Sequence, residues 1–298
     1  MEGSLVPDNL LDSDTMKRLE QLTLVSRKMA TGKRKGERRT RHRGASTDFA
    51  DYRNYVAGDD LRFLDWKIYG RLERLFIKLF LEEEDLRVHL LIDASPSMQF
   101  GDPDKFLYAR RTAAALGYIC LARMDCLSAR SFGERLLESY GPRRGKVNSG
   151  TFFRFLSSLR PAEQTHLSAC LKTFAQASGR RGVAVVISDF YDFEGYEEGL
   201  RHLIAADFEV LAVHVLSHEE LHPAVQGDIR LVDSEVGLTT DVSIGRSLLK
   251  SYERTLDAFC GGLKDYIVSR GGSYLLTSTR MPFERLILEV LRRRGILR

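Results

Sequence analysis

The sequence predicts an α/β fold: a doubly wound, mostly parallel sheet of the Rossmann type flanked by helices, with an N-terminal helical and basic extension. Two largely apolar runs, residues 86–93 and 182–189, each end in an aspartate. Strands that are apolar on both faces are typical of parallel sheets, which helices cover on each side. Helical patterns alternate with further strand patterns towards the C-terminus, as in a doubly wound sheet.

Composition indicates the broad class of the protein. The chain has 298 residues, of which 43% are hydrophobic, so it can bury the core of one large domain, alone or with an appendage. The sequence contains neither a signal-peptide pattern nor the run of about 18 apolar residues that a membrane span needs. The four cysteines are scattered and form no C-x-x-C pair, which favours buried, reduced thiols. We therefore expect a cytoplasmic protein.

The first elements are a helix and a basic loop. Residues 14–29 have the apolar spacing of an amphipathic helix. Residues 27–43 contain nine lysines or arginines against one acid, Glu37, so this segment supplies the positive net charge of the chain. Nucleic acid or an acidic protein surface can bind such a segment electrostatically, but it has no aromatic residue for base stacking. We expect a solvated or partner-docking loop, with nucleic-acid binding the less favoured alternative.

An aromatic and charged segment comes next, and regular elements follow it. Residues 57–60 in this segment form a turn pattern. Apolar periodicity then predicts strands at 72–80, 126–132, 208–215 and 273–279, and helices at 102–123, 152–159, 167–177, 196–206 and 243–270. Residues 229–232 and 236–240 predict an appended antiparallel hairpin.

The turn after the first apolar run carries the clearest functional signal. Asp93, Ser95 and Ser97 alternate with Ala94 and Pro96, so one carboxylate and two hydroxyls converge if the backbone curls around a point. Ligands of open α/β sheets bind at the carboxyl ends of the strands. Mg²⁺, with Mn²⁺ as the alternative, is a hard cation that prefers such oxygen ligands. A metal-free capping turn is the competing interpretation.

This D-x-S-x-S turn resembles the first segment of the metal-ion-dependent adhesion site of von Willebrand factor A domains. The resemblance implies a von Willebrand factor A-like fold and two further ligands: a threonine in a loop before a later helix, and an aspartate at the end of a later strand. Thr165 and Asp189 occur at such places. Gln164 stands where the family usually has glycine, which is a departure beside Thr165. The implied metal ligands are Asp93, Ser95, Ser97, Thr165 and Asp189.

A second pattern is independent of the first. Residues 55–66 read Y-x-x-G-D-D-x-R-x-x-D-W, which resembles the signature of the bacterial family catalogued as domain of unknown function 58. In that family the signature stands just before an A domain, as it does here. The resemblance implies an N-terminal helix and basic loop at 1–47, a signature segment at 48–82 and an A-like domain at 83–298. It also implies a protein partner, either a MoxR-type AAA+ ATPase or its client.

Two short stretches resemble catalytic motifs. Residues 218–222 match H-E-x-x-H, but they directly follow a strand and Pro223 abuts the second histidine, so a zinc-binding helix is not expected. Residues 141–146 resemble a phosphate-binding loop but are one residue short, and Val147 stands where Ser or Thr must hold Mg²⁺. We therefore expect a non-enzymatic adaptor that binds an acidic residue of its partner through bound Mg²⁺. The alternatives are a metal-dependent hydrolase and a nucleic-acid-binding module using residues 27–43.

Overall fold

A computed structural model of the chain describes residues 10–24, 48–81, 86–161, 165–179, 181–224, 227–232 and 239–287. The chain divides into two compact units, one made of Met1–Arg34 with Leu86–Arg298 and the other of Lys35–Asp85. The first predicted helix therefore shares a unit with the predicted sheet. The basic loop predicted at residues 27–43 lies outside the described residues.

The described elements are numbered here in chain order. The helices are α1 (Ser13–Leu19), α2 (Trp66–Leu72), α3 (Lys105–Ala122), α4 (Ser149–Ser158), α5 (Leu167–Ala177), α6 (Glu197–Ala205), α7 (His218–Leu221), α8 (Arg246–Val268) and α9 (Phe283–Arg285). The strands are β1 (Asp48–Asn54), β2 (Phe76–Leu81), β3 (Arg87–Asp93), β4 (Cys126–Phe132), β5 (Leu136–Arg143), β6 (Val183–Ser188), β7 (Glu209–Leu216), β8 (Gly227–Val232), β9 (Thr239–Ile244) and β10 (Ser273–Ser278).

A central sheet organises the larger unit. Among the described residues its strand order is β10-β7-β6-β3-β4-β5, and every neighbouring pair is parallel except β4 with β5. From β3 the chain continues to β4 on one side and later returns to β6 on the other side. The direction of winding therefore reverses between β3 and β6, and the predicted mostly parallel, doubly wound sheet is confirmed.

Both faces of the central strands are buried, and the side chains of each strand alternate between the two faces. Leu90 and Ile92 of β3 face a core that includes residues of α3 and α4. Leu91, between them, faces a second core built with α5, α6 and α8. This two-sided burial explains why the central strands have nearly continuous apolar sequences.

The N-terminal helix packs on the first of these cores. Leu19 of α1 is buried in it, and the Tyr118 hydroxyl of α3 donates a hydrogen bond to Glu20 Oε1 (2.6 Å). Arg123 Nε, just after α3, donates to the carbonyl of Leu22 (3.0 Å). These two hydrogen bonds attach the segment that follows α1 to α3 and to the residue after it.

The sequence prediction was wrong at several elements. The first helix, expected at residues 14–29, ends at Leu19, and the second strand of the hairpin, expected to end at residue 240, extends to Ile244. The strand expected at residues 72–80 begins only at Phe76, because the preceding residues form α2, which Asp65 caps. Strand β5 was not predicted, since Gly141 and Pro142 within it favoured a turn. This strand lies antiparallel at the edge of the sheet and is largely exposed, where proline and glycine are tolerated.

The smaller unit is an antiparallel pair, β1 with β2, and the helix α2 between them. Asp65 begins α2: its Oδ1 accepts hydrogen bonds from the amides of Lys67 and Ile68 (2.8 and 3.1 Å). The other oxygen, Oδ2, accepts from the Tyr52 hydroxyl (3.0 Å) and pairs with Lys78 Nζ (3.1 Å). One buried carboxylate thus ties the helix to both strands.

The remaining acids of the 55–66 signature hold turns in this unit. Asp59 accepts two bonds from the Arg53 guanidinium (2.7 and 2.8 Å) and one from the amide of Val56 (2.9 Å). Asp60 caps a short 3₁₀ turn through the amide of Arg62 (3.1 Å). The acidic residues of the signature therefore have local structural roles, because each of these carboxylates accepts hydrogen bonds from nearby donors.

Within the residues described above, none of the helices combines the length and the apolar character that crossing a membrane requires. Cys120, Cys126 and Cys170 are buried and Cys260 is half-buried, all as free thiols.

Candidate metal centre

The candidate site lies where the winding of the sheet reverses. Asp93 is the last residue of β3, and Asp189 directly follows β6. The two strands are parallel neighbours with Ile92 opposite Ile187, so their carboxyl ends meet at one edge. That edge is the general ligand-binding position of open α/β sheets.

Four of the five predicted ligands form a connected group at this edge. Asp93 Oδ1 accepts the amide of Ser95 (2.8 Å), which curls the turn back on the strand end. The hydroxyls of Ser95 and Ser97 are 3.0 Å apart. Ser97 Oγ then donates to Asp189 Oδ2 (2.7 Å). The predicted convergence of one turn with the second aspartate is therefore present in the structure.

Ser188, the residue before Asp189, also belongs to this group. Its hydroxyl donates to Asp93 Oδ2 (2.5 Å) and accepts the amide of Phe190 (2.7 Å). The sequence analysis did not select Ser188. Its position as the last residue of an apolar strand, next to an acid, is the signal that would have identified it.

The electrostatics of the site disfavour the ionised form of Asp93. Asp93 and Asp189 are both buried. Burial, and secondly the charge of Asp189, raise the pKa of Asp93 above its ordinary value, although hydrogen bonds from Ser188 and Ser95 oppose this shift. A raised carboxyl pKa means that the ionised form lacks full compensation by positive charge. A bound cation would supply that compensation.

Thr165, the fifth predicted ligand, is buried two residues before α5, and it makes no hydrogen bond to the other four. Its Oγ1 has no hydrogen-bond partner among the described residues. The loop is nevertheless attached to the Asp189 loop, because Asp192 Oδ2 accepts the amide of Leu167 at the start of α5 (2.6 Å). Both carboxylate oxygens of Asp192 accept backbone amides, Oδ2 that of Leu167 and Oδ1 that of Glu194.

A buried lysine that the sequence analysis missed completes the site. Lys105, the first residue of α3, places Nζ 2.7 Å from Asp189 Oδ2 and 2.7 Å from Glu220 Oε1. Burial alone would lower the pKa of Lys105, but the two carboxylates outweigh it and hold the pKa above its usual value. No local pattern indicates this role, because the three residues are far apart in sequence and meet only in the folded sheet.

The donor chemistry fits a hard divalent cation. Carboxylate and hydroxyl oxygens are the ligands that Mg²⁺ prefers. The buried Thr165 hydroxyl, which has no partner among the described residues, is available as one more. Nowhere in the described ranges do three or more His, Cys, Asp or Glu side chains form a metal-binding group. A divalent cation at this site would therefore depend on the serine and threonine hydroxyls as well as on Asp93 and Asp189.

The H-E-x-x-H sequence has a different structural role. Its first four residues form α7, and His222 follows the end of this short helix. Ser217 and Glu220 make a reciprocal capping box, with Ser217 Oγ accepting the Glu220 amide (3.0 Å) and Glu220 Oε2 accepting the Ser217 amide (2.7 Å). Within this motif, Glu220 thus shapes the turn and also pairs with Lys105.

The comparison with known protein families agrees with the signature and its position. The model described as "Protein of unknown function DUF58" matches residues 51–258. The chain belongs to the DUF58 family. The match begins inside the smaller unit and extends through most of the sheet of the larger one, so it includes Asp93, Thr165 and Asp189.

Individual proteins of similar sequence come from mycobacteria. The uncharacterized protein Rv1480 of Mycobacterium tuberculosis (strain ATCC 25618 / H37Rv) is 27% identical over 261 residues, covering 85% of this chain and 82% of the relative. The uncharacterized protein Mb1516 of Mycobacterium bovis matches with the same identity and coverage.

Solved structures give weaker similarities. The conserved hypothetical protein BatB from Bacteroides thetaiotaomicron matches 70% of this chain and 98% of its own, with a TM-score of 0.42 and 14% identity. An aerotolerance-related membrane protein from Bacteroides fragilis matches 70% of this chain and 99% of its own, with a TM-score of 0.41 and 15% identity.

Proposed function

We propose that this DUF58 protein is a non-enzymatic, cytoplasmic adaptor that binds an acidic residue of a protein partner through Mg²⁺. The observation that carries the proposal is the connected group of Asp93, Ser95, Ser97 and Asp189 at the carboxyl edge of the sheet. The buried Thr165 hydroxyl supports it, because it has no hydrogen-bond partner in the described part of the chain and could serve as a metal ligand.

In the proposed complex, the protein's own residues hold the ion and leave a coordination position at which a ligand can be exchanged. Asp93, Ser95, Ser97, Thr165 and Asp189 would hold it, with Mn²⁺ as a substitute for Mg²⁺. Mg²⁺ keeps near-octahedral coordination and usually retains water, so a carboxylate of the partner can replace a water. The hydrogen bonds of Asp93 to Ser95 and Ser188 hold the first carboxylate in place before the partner arrives.

The partner class comes from the family resemblance. We propose a MoxR-type AAA+ ATPase or one of its clients, with the adaptor acting in chaperone-like assembly. Recognition through a bound cation requires only a properly presented Asp or Glu on that partner, which suits an adaptor that engages more than one protein.

The test is metal-dependent capture of a MoxR-type ATPase encoded by the same organism. Immobilised wild-type protein is expected to retain the ATPase in Mg²⁺ buffer and to release it when the ion is chelated. Asp93→Ala should abolish capture, because it removes a ligand. Asp257→Asn, which neutralises an exposed acid of α8, is the matched control and should leave capture unchanged. Capture that persists without divalent cations, or in Asp93→Ala, would refute the metal-bridged mechanism.

A further inference from the structure

The most unusual feature of the candidate centre is that a positive charge already occupies it. The Lys105 side chain is completely buried, which is rare for lysine unless it is paired. Its ammonium contacts Asp189 and Glu220 at 2.7 Å each. It also lies 5.3 Å from the centre of the Tyr191 ring, two residues after Asp189. The ammonium is therefore enclosed by the loop that carries a predicted metal ligand.

Both oxygen atoms of Asp189 already accept hydrogen bonds. Oδ2 accepts from both Lys105 Nζ and Ser97 Oγ at 2.7 Å, and Oδ1 accepts the amide of Tyr191 (3.1 Å). A divalent cation that binds Asp189 must share this carboxylate with the ammonium or displace it. Two cations on one buried carboxylate repel each other strongly, since the surroundings screen charge less than water does.

Glu220 provides a second partner for the ammonium outside the predicted ligand set. Its carboxylate is held by the amide of Ser217 (2.7 Å), and its own carbonyl accepts the Tyr252 hydroxyl of α8 (2.9 Å). Lys105 therefore keeps a fixed carboxylate when Asp189 is taken by another cation. When a metal ion replaces the ammonium at Asp189, the buried lysine still has Glu220 as its counter-charge.

We infer that Lys105 sets the divalent-cation affinity of this site by competing with the metal for Asp189. The inference rests on the proposed function, which needs a metal at the same centre. It adds a consequence: metal binding by the protein alone is weakened, so the ion and the carboxylate of the partner bind best together. Lys105 is a positioning residue, since it acts through Asp189.

The test compares the affinities of purified full-length variants for Mg²⁺ by titration calorimetry. Lys105→Met, which removes the ammonium and keeps the stem, is expected to bind Mg²⁺ about tenfold or more tightly than wild type, as expected for loss of a nearby like charge. Lys264→Met, on the exposed face of α8, removes the same charge elsewhere and should leave the affinity unchanged. If Lys105→Met does not fold, Lys105→Gln removes the charge and keeps a donor for the two carboxylates.

A double-mutant cycle separates competition for Asp189 from a general effect of charge. In an Asp189→Asn background, Lys105→Met should give no gain in affinity. A gain of the same size in that background would overturn the inference, as would equal Mg²⁺ binding by wild type and Lys105→Met.

Failure of the inference is distinguishable from failure of the proposed function. Equal, saturable binding by wild type and Lys105→Met, lost in Asp93→Ala, would refute the competition and leave the metal centre standing. An absence of Mg²⁺ binding by every variant would refute both. Binding by Lys105→Met but not by wild type alone would support the inference.

Discussion

At the residue scale, Thr165 and Thr112 are two buried threonines whose hydroxyls differ in their hydrogen bonding. The buried hydroxyl of Thr165 has no hydrogen-bond partner within the described part of the chain, and burying such a group has a cost. Thr112 is a buried threonine of the opposite kind, since its hydroxyl donates to the Tyr108 carbonyl (2.9 Å). The two residues form a matched pair for substitution by valine.

We expect Thr165→Val to leave the free energy of unfolding in metal-free buffer unchanged or to raise it by up to about 1 kcal/mol, whereas Thr112→Val should lower it by about 1 kcal/mol. Thr165→Val should also weaken Mg²⁺ binding, because it removes a ligand. Urea denaturation and calorimetry measure the two effects. Equal destabilisation by both substitutions would mean that the Thr165 hydroxyl has a structural partner.

Asp65 is a residue whose ionisation supports the smaller unit. Burial would raise its pKa, but hydrogen bonds from Lys78, the amides of Ile68 and Lys67, and the Tyr52 hydroxyl prevail and lower it to about 2. Because the folded pKa is below the unfolded one, the stabilisation is complete above the unfolded value of about 3.9. It is lost as the pH falls through the folded value.

Trp66, the single tryptophan of the chain, stands next to Asp65 and reports on this unit. We expect its fluorescence-detected urea midpoint in the full-length protein to fall as the pH decreases from about 4 to 2. Asp65→Asn should have a lower midpoint at neutral pH and a smaller change over that range. Asp60→Asn, at an exposed pair with Arg62, is the control and should resemble wild type. A wild-type midpoint that rises over this range would contradict the assignment.

At the element scale, helices α5 and α6 pack unusually closely beside the candidate centre. A Cβ atom added to Gly199 of α6 would lie 2.7 Å from the Cα of Ser168 in α5. The Ser168 hydroxyl donates to the Gly195 carbonyl (2.7 Å) and accepts the Gly199 amide (3.2 Å). The small residue therefore permits a contact between two helix backbones.

Gly199→Ala is expected to lower the free energy of unfolding by about 1–3 kcal/mol, because backbone atoms must separate. Gly261→Ala in α8 meets nothing within 4 Å and should raise that free energy by up to about 1 kcal/mol, through helix propensity. Urea denaturation followed by circular dichroism compares them. If the two substitutions changed stability in the same direction and by the same amount, the close contact would have no energetic weight.

The elements that position the aspartates could be predicted from the sequence, whereas some others could not. Strands β3 and β6 are apolar on both faces because both are covered by helices, so their patterns are long and unambiguous. Strand β5 is at an edge and mostly exposed, so its residues show no apolar pattern. The start of α2 depends on the Asp65 cap, a local signal that the aromatic residues around it obscured.

At the scale of the whole chain, the candidate site includes residues from five separate segments of the larger unit. Asp93, Ser95 and Ser97 belong to one turn, and their chemistry is readable from a short stretch of sequence. Lys105 and Glu220 meet Asp189 only because α3 and the turn after β7 come to the same edge of the sheet. Ion pairs between residues so far apart in the sequence leave no periodic signal. The oxygen donors of the site could therefore be predicted from the sequence, whereas Lys105 could not.

The central claim is that this edge binds a divalent cation, and titration calorimetry with Mg²⁺ tests it most directly. We predict saturable binding to one site in the wild-type protein and its loss in Asp93→Ala, with circular dichroism showing that the variant is folded. Asp257→Asn should bind as wild type does. Binding that persists undiminished in Asp93→Ala, or no saturable binding by wild type even with the ATPase present, would contradict the account and leave Asp93, Ser95 and Ser97 as a purely structural turn.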